Sequence, residues 1–143
     1  MNFFITDSAY QELLKIEKVP SHSDLRMELY KFLSRKKTID EFKAGKRVLE
    51  GPGQNPFIKV RVGGSGKFRM HYLLFIKDNK LYISHLHPKR GRKERENLNT
   101  PERKIALREA IAASEGFTCY EVILNSEKQT CDFKLFTKSK NVL

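Results

Sequence analysis

An α+β fold built on a mainly antiparallel, twisted sheet is what the order of patterns along the chain predicts. Three observations carry that expectation. Two amphipathic helical stretches open the chain, three strand-like runs separated by turn signals follow residue 56, and a further helix leads into two more alternating runs. The 143 residues are enough for one domain whose core needs neither metal nor disulfide support.

Taken in order, Asn2 to Thr6 reads as a short strand, and Thr6 or Asp7 caps a helix carrying Tyr10, Leu13, Leu14 and Ile16. Pro20 separates it from a second helix, capped by Ser21, Ser23 or Asp24, with Leu25, Leu29, Phe32 and Leu33 as its apolar stripe. The two helices are expected as an antiparallel pair on one face of the sheet. Ile39 to Glu50 fits no single period and reads as irregular, and the following GPGQNP reads as loop. Strands are expected at Phe57 to Val62, Lys67 to Lys77 and Lys80 to His87, the last two joined through Asp78-Asn79 as a meander. Thr100-Pro101-Glu102 reads as N-cap, first-turn proline and acidic first turn of a helix carrying Ile105, Leu107, Ala110 and Ile111, which Gly116 ends. That helix is expected to pack near a sheet edge through Leu107 and Ile111. Residues 1–116 then form the main domain, and residues 117–143 an extension packed on it as a hairpin. Tyr120, Val122 and Leu124 share one buried face with Cys131, Phe133 and Leu135.

Charge narrows the partner class. The 28 Lys and Arg against 17 Asp and Glu leave a formal net charge of +11, which favours a polyanion through phosphate neutralisation and counterion release. No apolar stretch approaches the ~20 residues of a membrane span, and the N-terminus has no basic segment followed by an apolar signal core. A cytoplasmic chain with no membrane partner is therefore expected, with Cys119 and Cys131 as buried thiols.

The cations cluster. Along FIKVRV, Lys59 and Arg61 project from one side of a strand while Ile58, Val60 and Val62 point to the other. The turn Gly63-Gly64-Ser65-Gly66 folds the chain back, so that Arg69 and His71 are expected beside Lys59 and Arg61. Such a patch suits a phosphate backbone. Cleaving RNA through its 2′-hydroxyl requires removal of that proton, stabilisation of charge on the phosphorus oxygens and protonation of the departing 5′-oxygen. Arg61 and Arg69 suit the second task because a guanidinium offers paired donors to phosphate. For the proton transfers the candidates are His71, His85, His87 or a lysine whose pKa crowding lowers. His85 and His87 share a strand face, but a third ligand at recognisable spacing is missing, so neither a metal nor another cofactor is expected. Lys67, His87, Arg90, Arg92, Lys93 and Arg95 are expected to grip nucleic acid rather than react with it.

Several of these pieces occur in an order that resembles the RelE/HigB toxins of bacterial type II toxin-antitoxin systems. They are the GPG loop at Gly51 to Gly53, I-K-V-R at Ile58 to Arg61, the GGSGK turn, F-R-M-H-Y at Phe68 to Tyr72, H-P-K at His87 to Lys89 and E-N-L-N at Glu96 to Asn99. The resemblance spans roughly residues 48 to 112, and the tail from Phe117 onward has no counterpart in it. It implies a RelE-like fold, ribosome-dependent cleavage of messenger RNA and a cognate antitoxin protein as partner. It also implies catalytic places for Lys59, Arg61 and Arg69, and for Lys89 and Arg90 at the end of the last meander strand. Two other readings share the sequence: a ParE-like toxin acting on DNA gyrase without cutting RNA, and a basic RNA-binding accessory protein.

Overall fold

The computed structural model describes residues 1–89 and 98–137. They form an α+β structure in which four helices flank one seven-stranded, mostly antiparallel sheet of order β2-β3-β4-β5-β1-β6-β7. The strands are β1 (Asn2–Thr6), β2 (Lys46–Glu50), β3 (Pro56–Val62), β4 (Phe68–Phe75), β5 (Lys80–Pro88), β6 (Cys119–Asn125) and β7 (Thr130–Phe136). The helices are α1 (Asp7–Glu17), α2 (Leu25–Arg35), the single turn α3 (Ile39–Phe42) and α4 (Thr100–Ser114). One pair of strands is parallel: β1 lies beside β5 in that sense and antiparallel to β6.

Alternation along the strands builds two cores. On one side Ile58, Met70, Tyr72, Leu74, Leu81, Ile83 and Leu86 meet Leu13 and Ile16 of α1 and Leu25, Leu29 and Leu33 of α2. On the other, Phe4, Phe57, Leu73 and Tyr82 meet Ala106, Ala110 and Ala113 of α4. The paired N-terminal helices thus lie on one face, as their stripes predict. Thr6 caps α1 by accepting from the Ala9 amide. Asp24 stands at the N-cap of α2 without capping it, because its carboxylate is taken by Lys67 Nζ at 2.8 and 2.9 Å.

Three expectations need correction. Residues 39–50 are ordered rather than irregular: Thr38 and Glu41 form a capping box that starts α3, and Lys46–Glu50 pairs with β3 across a bulge. A four-residue helix followed by a bulged strand presents too few repeats for either period to register. Asn99, not Thr100, caps α4, by a reciprocal box with Glu102. And α4 lies across the second face of the sheet rather than at an edge: its alanines are buried, Leu107 and Ile111 are only partly so, and Ile105 is 48% exposed. Small side chains at spacings of four and three let a helix sit close on a sheet.

The C-terminal hairpin completes the fold. Strand β6 pairs with β1 and β7 with β6, so residues 119–136 extend the sheet and add Val122 and Cys131 to the core under α1 and α2. The two cysteines are not cross-strand neighbours, since Cys119 faces Phe136 and Cys131 faces Leu124. They are buried in opposite cores, and burial pushes the Cys119 thiol up to about 11 and the Cys131 thiol up to about 12. Among the described residues no helix is long and apolar enough to cross a membrane.

Candidate functional site

Register brings the strand cations together. Lys46, Lys59, His71 and His85 are successive cross-strand partners over β2, β3, β4 and β5, and Arg61, Arg69 and His87 form the next row. Cross-strand partners share a face, and His71 lies beside Phe57 of the α4-side core with ring centroids 5.6 Å apart. The two rows therefore lie on the face opposite α1 and α2. Lys59 and Arg69, whose common side the site requires, share it.

A bulge sets the third strand of the site. The pairing of β4 with β5 shifts between His71 and Tyr72: His71 opposes His85 while Tyr72 opposes Ile83, leaving Ser84 as the extra residue. Without it, strict alternation would send His85 and His87 to the same side as Leu81 and Ile83, into the helix-side core. With it, the His85 ring lies edge-on to His71 at 5.6 Å, and His85 Nε2 is 2.9 Å from His87 Nδ1. One of those two nitrogens must carry a proton and the other must not.

Depth divides the residues. Arg61 and Lys89 are exposed, Lys59, His85 and His87 are partly buried, and Arg69 and His71 are only 3% and 0% exposed. Arg69 donates through Nη1 to the Gly66 carbonyl, which ties the glycine turn to the strand beneath it. Gly66 has φ +64°, and a Cβ there would lie 3.2 Å from Arg61 Cδ and 3.4 Å from Arg69 Nη1, so glycine is needed for both conformation and space. Lys67 turns toward the helix side to meet Asp24 and stands apart from the rows. Lys89 is held at the end of β5 by its amide, which donates to the Lys67 carbonyl at 2.8 Å. Arg90, Arg92, Lys93 and Arg95 lie outside the described residues.

Two site residues escaped the sequence reading. Lys46 joins the first row because β2 exists, and Arg103 reaches the site from α4, where its spacing of three and seven residues from Ala106 and Ala110 places it on the buried stripe. That spacing was readable. It was obscured because Ile105 and Ile111 drew the stripe to another face.

The electrostatics are those of crowded cations. Burial lowers the Lys59 pKa, and Lys46, Arg103, Arg69 and Arg61 lower it further by repulsion. Burial, then His85, His87, Lys59 and Arg103, bring His71 down to about 3; burial and His87 bring His85 down to about 4, partly opposed by Glu102. Both imidazoles are accordingly neutral at pH 7. Both ring nitrogens of His71 and the Nε of Arg103 are buried without a hydrogen-bond partner among the described residues. Among those residues no group of three or more His, Cys, Asp or Glu side chains is placed to hold a metal ion. The arrangement can bind phosphate at Arg61, Lys59 and Lys89, and exchange a proton at the His85–His87 pair.

No family model matches this chain, and neither a curated protein nor a solved structure does.

Proposed function

We propose that this protein is a RelE/HigB-like toxin with a RelE-like fold, a metal-independent endoribonuclease that cuts messenger RNA on the ribosome in the cytoplasm and is silenced by a cognate antitoxin. The observation that carries the reading is the pair of rows, Lys46–Lys59–His71–His85 and Arg61–Arg69–His87, on one sheet face. RNA cleavage needs this combination of donors for a phosphate and a neutral imidazole, whereas inhibition of a protein target has no chemical use for it.

In this reading the 2′-oxygen loses its proton, forms a bond to phosphorus, and the bond from phosphorus to the 5′-oxygen breaks as that oxygen takes up a proton. Arg61, exposed at the β3 end of the second row, donates to the phosphorus oxygens as their charge grows, with Lys59 beside it. His87 is the imidazole of the pair lying nearer the strand end, and His85 behind it fixes its tautomer through the 2.9 Å contact. Arg69 and His71 lie too deep to touch a substrate. Arg69 instead positions the glycine turn, and His71 keeps the floor of the face free of a permanent charge.

The test is a cell-free translation reaction with mapping of messenger cuts. Wild-type protein is expected to stop translation and leave discrete cuts, and Arg61→Ala to lower the cleavage rate on the order of a hundredfold, about 3 kcal/mol, while folding normally. Translation that stops without cuts would remove the nuclease assignment, and cutting by Arg61→Ala at the wild-type rate would remove Arg61 from the reaction.

A further inference from the structure

A groove at one end of the sheet borders both the helix-side core and the rows. It is an open cavity of about 480 Å³ between the C-terminal end of α2 and the β2–β3 edge, within the ~300–1,000 Å³ typical of ligand sites. Its apolar part comes from Phe32, Val60 and Tyr72, its charged part from Lys36, Lys46, Lys59 and Arg61, and its lining contains no acid. Lys36 Nζ stands 5.0 Å from the centre of the Phe32 ring, so an ammonium and an aromatic ring meet at the same rim. Lys59 and Arg61 belong to both the groove and the rows. They are two strand residues apart, about 7 Å, the scale on which phosphates follow one another along an extended nucleic-acid strand.

We propose that this groove is a second RNA subsite, which holds the nucleotide adjoining the one on the cationic rows: its base against Phe32 and Val60, its phosphate at Lys36. The proposal rests on the RNA reading above and adds to it a place where the strand runs after leaving the rows. A cationic, partly apolar groove also suits an acidic peptide, and the usual way for a peptide to bind beside a strand is to pair with its edge. On β3 that position is taken by β2, the outermost strand. A Cβ at Gly45 would lie 2.5 Å from both Ile58 Cγ2 and Val60 Cγ1 and 2.9 Å from the Lys59 carbonyl oxygen, so the chain at Gly45 already lies against β3 where a peptide strand would pair. A nucleotide needs side-chain cations and an apolar wall, which the groove has, and no strand edge.

The experiment uses fluorescein-labelled 2′-O-methyl oligonucleotides of two and six residues, which bind without being cleaved, followed by fluorescence anisotropy on the full chain. In Lys36→Ala, affinity for the six-residue strand is expected to fall about fivefold and its salt slope by about 0.7, while affinity for the two-residue strand stays within about twofold. Phe32→Leu is expected to weaken the longer strand with no change in salt slope, since it removes an aromatic wall and no charge. Equal losses on both lengths would make Lys36 part of a general field and overturn the subsite, as would no loss on either. An acidic decapeptide that loses its binding in Lys36→Ala, with six-residue binding unchanged, would assign the groove to protein and overturn it too. Because these ligands cannot be cut, a length-dependent loss without nuclease activity would leave the subsite standing and remove the enzyme, and cleavage with no length-dependent loss would do the reverse.

Discussion

The sheet divides where β5 meets β1, and its two halves bury the helix-side surface alike but treat the opposite surface differently. Residues 56–88, which hold β3, β4 and β5, contain six Lys and Arg against one Asp; residues 117–137, which hold β6 and β7, contain two Lys against three acids. In the first half the rows of cations and histidines occupy a face that α4 only partly covers. In the second, Phe136 packs on Phe4 at 5.2 Å and the rest of that face is a mixture, with Glu121, Asp132 and Lys134 around Ile123. Both halves contribute to the buried core, but only one of them carries the excess of positive charge. The chain concentrates mutually repelling groups on β3 to β5 and closes the far side of β1 with a hairpin that carries almost no net charge.

The strongest way to break this comparison is to remove the hairpin. Deleting residues 117–143 takes away the partner of β1 and uncovers the core that Val122, Cys119 and Cys131 help to close. With roughly 1.5–3 kcal/mol for each large apolar side chain left exposed, the loss is expected to exceed about 5 kcal/mol, comparable to the whole stability of a domain. Urea unfolding of the truncated chain should show no cooperative transition. A truncated chain with an unchanged midpoint would make the hairpin an ornament.

A smaller effect separates the two arginines of one row. Arg69→Met leaves the Gly66 carbonyl without its donor, and a hydrogen bond from a charged group contributes about 2 kcal/mol. Arg61→Ala, at an exposed position, should change stability by less than about 0.5 kcal/mol. Equal shifts of the thermal midpoint in the two variants would show that the buried arginine does not hold the turn.

A separate expected effect is the pH dependence. His71 and His85 titrate at about 3 and about 4 in the folded chain, against the usual 6.5 when unfolded. Below about pH 6.5 the unfolded chain therefore binds more protons, so the stability present at neutral pH is lost progressively as pH falls toward 4. His71→Leu removes one of the two groups, and its unfolding free energy should fall less steeply over that interval. Identical pH profiles for the two proteins would mean that His71 is solvated, contrary to its burial.

Much of this was legible from the residues in a row. Alternation in FIKVRV placed Lys59 and Arg61 together, the glycine turn set Arg69 and His71 opposite them, and the stripes of α1 and α2 put both helices on the other face. Those are local regularities, each repeated several times within a few residues, and local repetition survives folding. Alternation also marked β6 and β7 as a hairpin, and Val122 and Cys131 are buried on the face that period two gave them, whereas Leu135, expected on that buried face, is 60% exposed.

What the sequence could not determine was decided by single residues that interrupt a pattern or by contacts between distant segments. Ser84 is one such residue: nothing in ISHLH marks a bulge, yet it alone turns His85 and His87 out of the helix-side core and onto the rows. The depth of Arg69 and His71 is another case, since burial depends on which segments lie above a strand and not on the strand itself. Lys67, read as a nucleic-acid contact, found Asp24 from 43 positions away. Period and propensity act over a turn or a strand pair, whereas register shifts, burial and long-range ion pairs are fixed when the whole sheet closes. Which residues bring charge to which strand is thus written in local order, whereas their reaching the surface, and their neighbours there, depend on how the closed sheet and its helices pack.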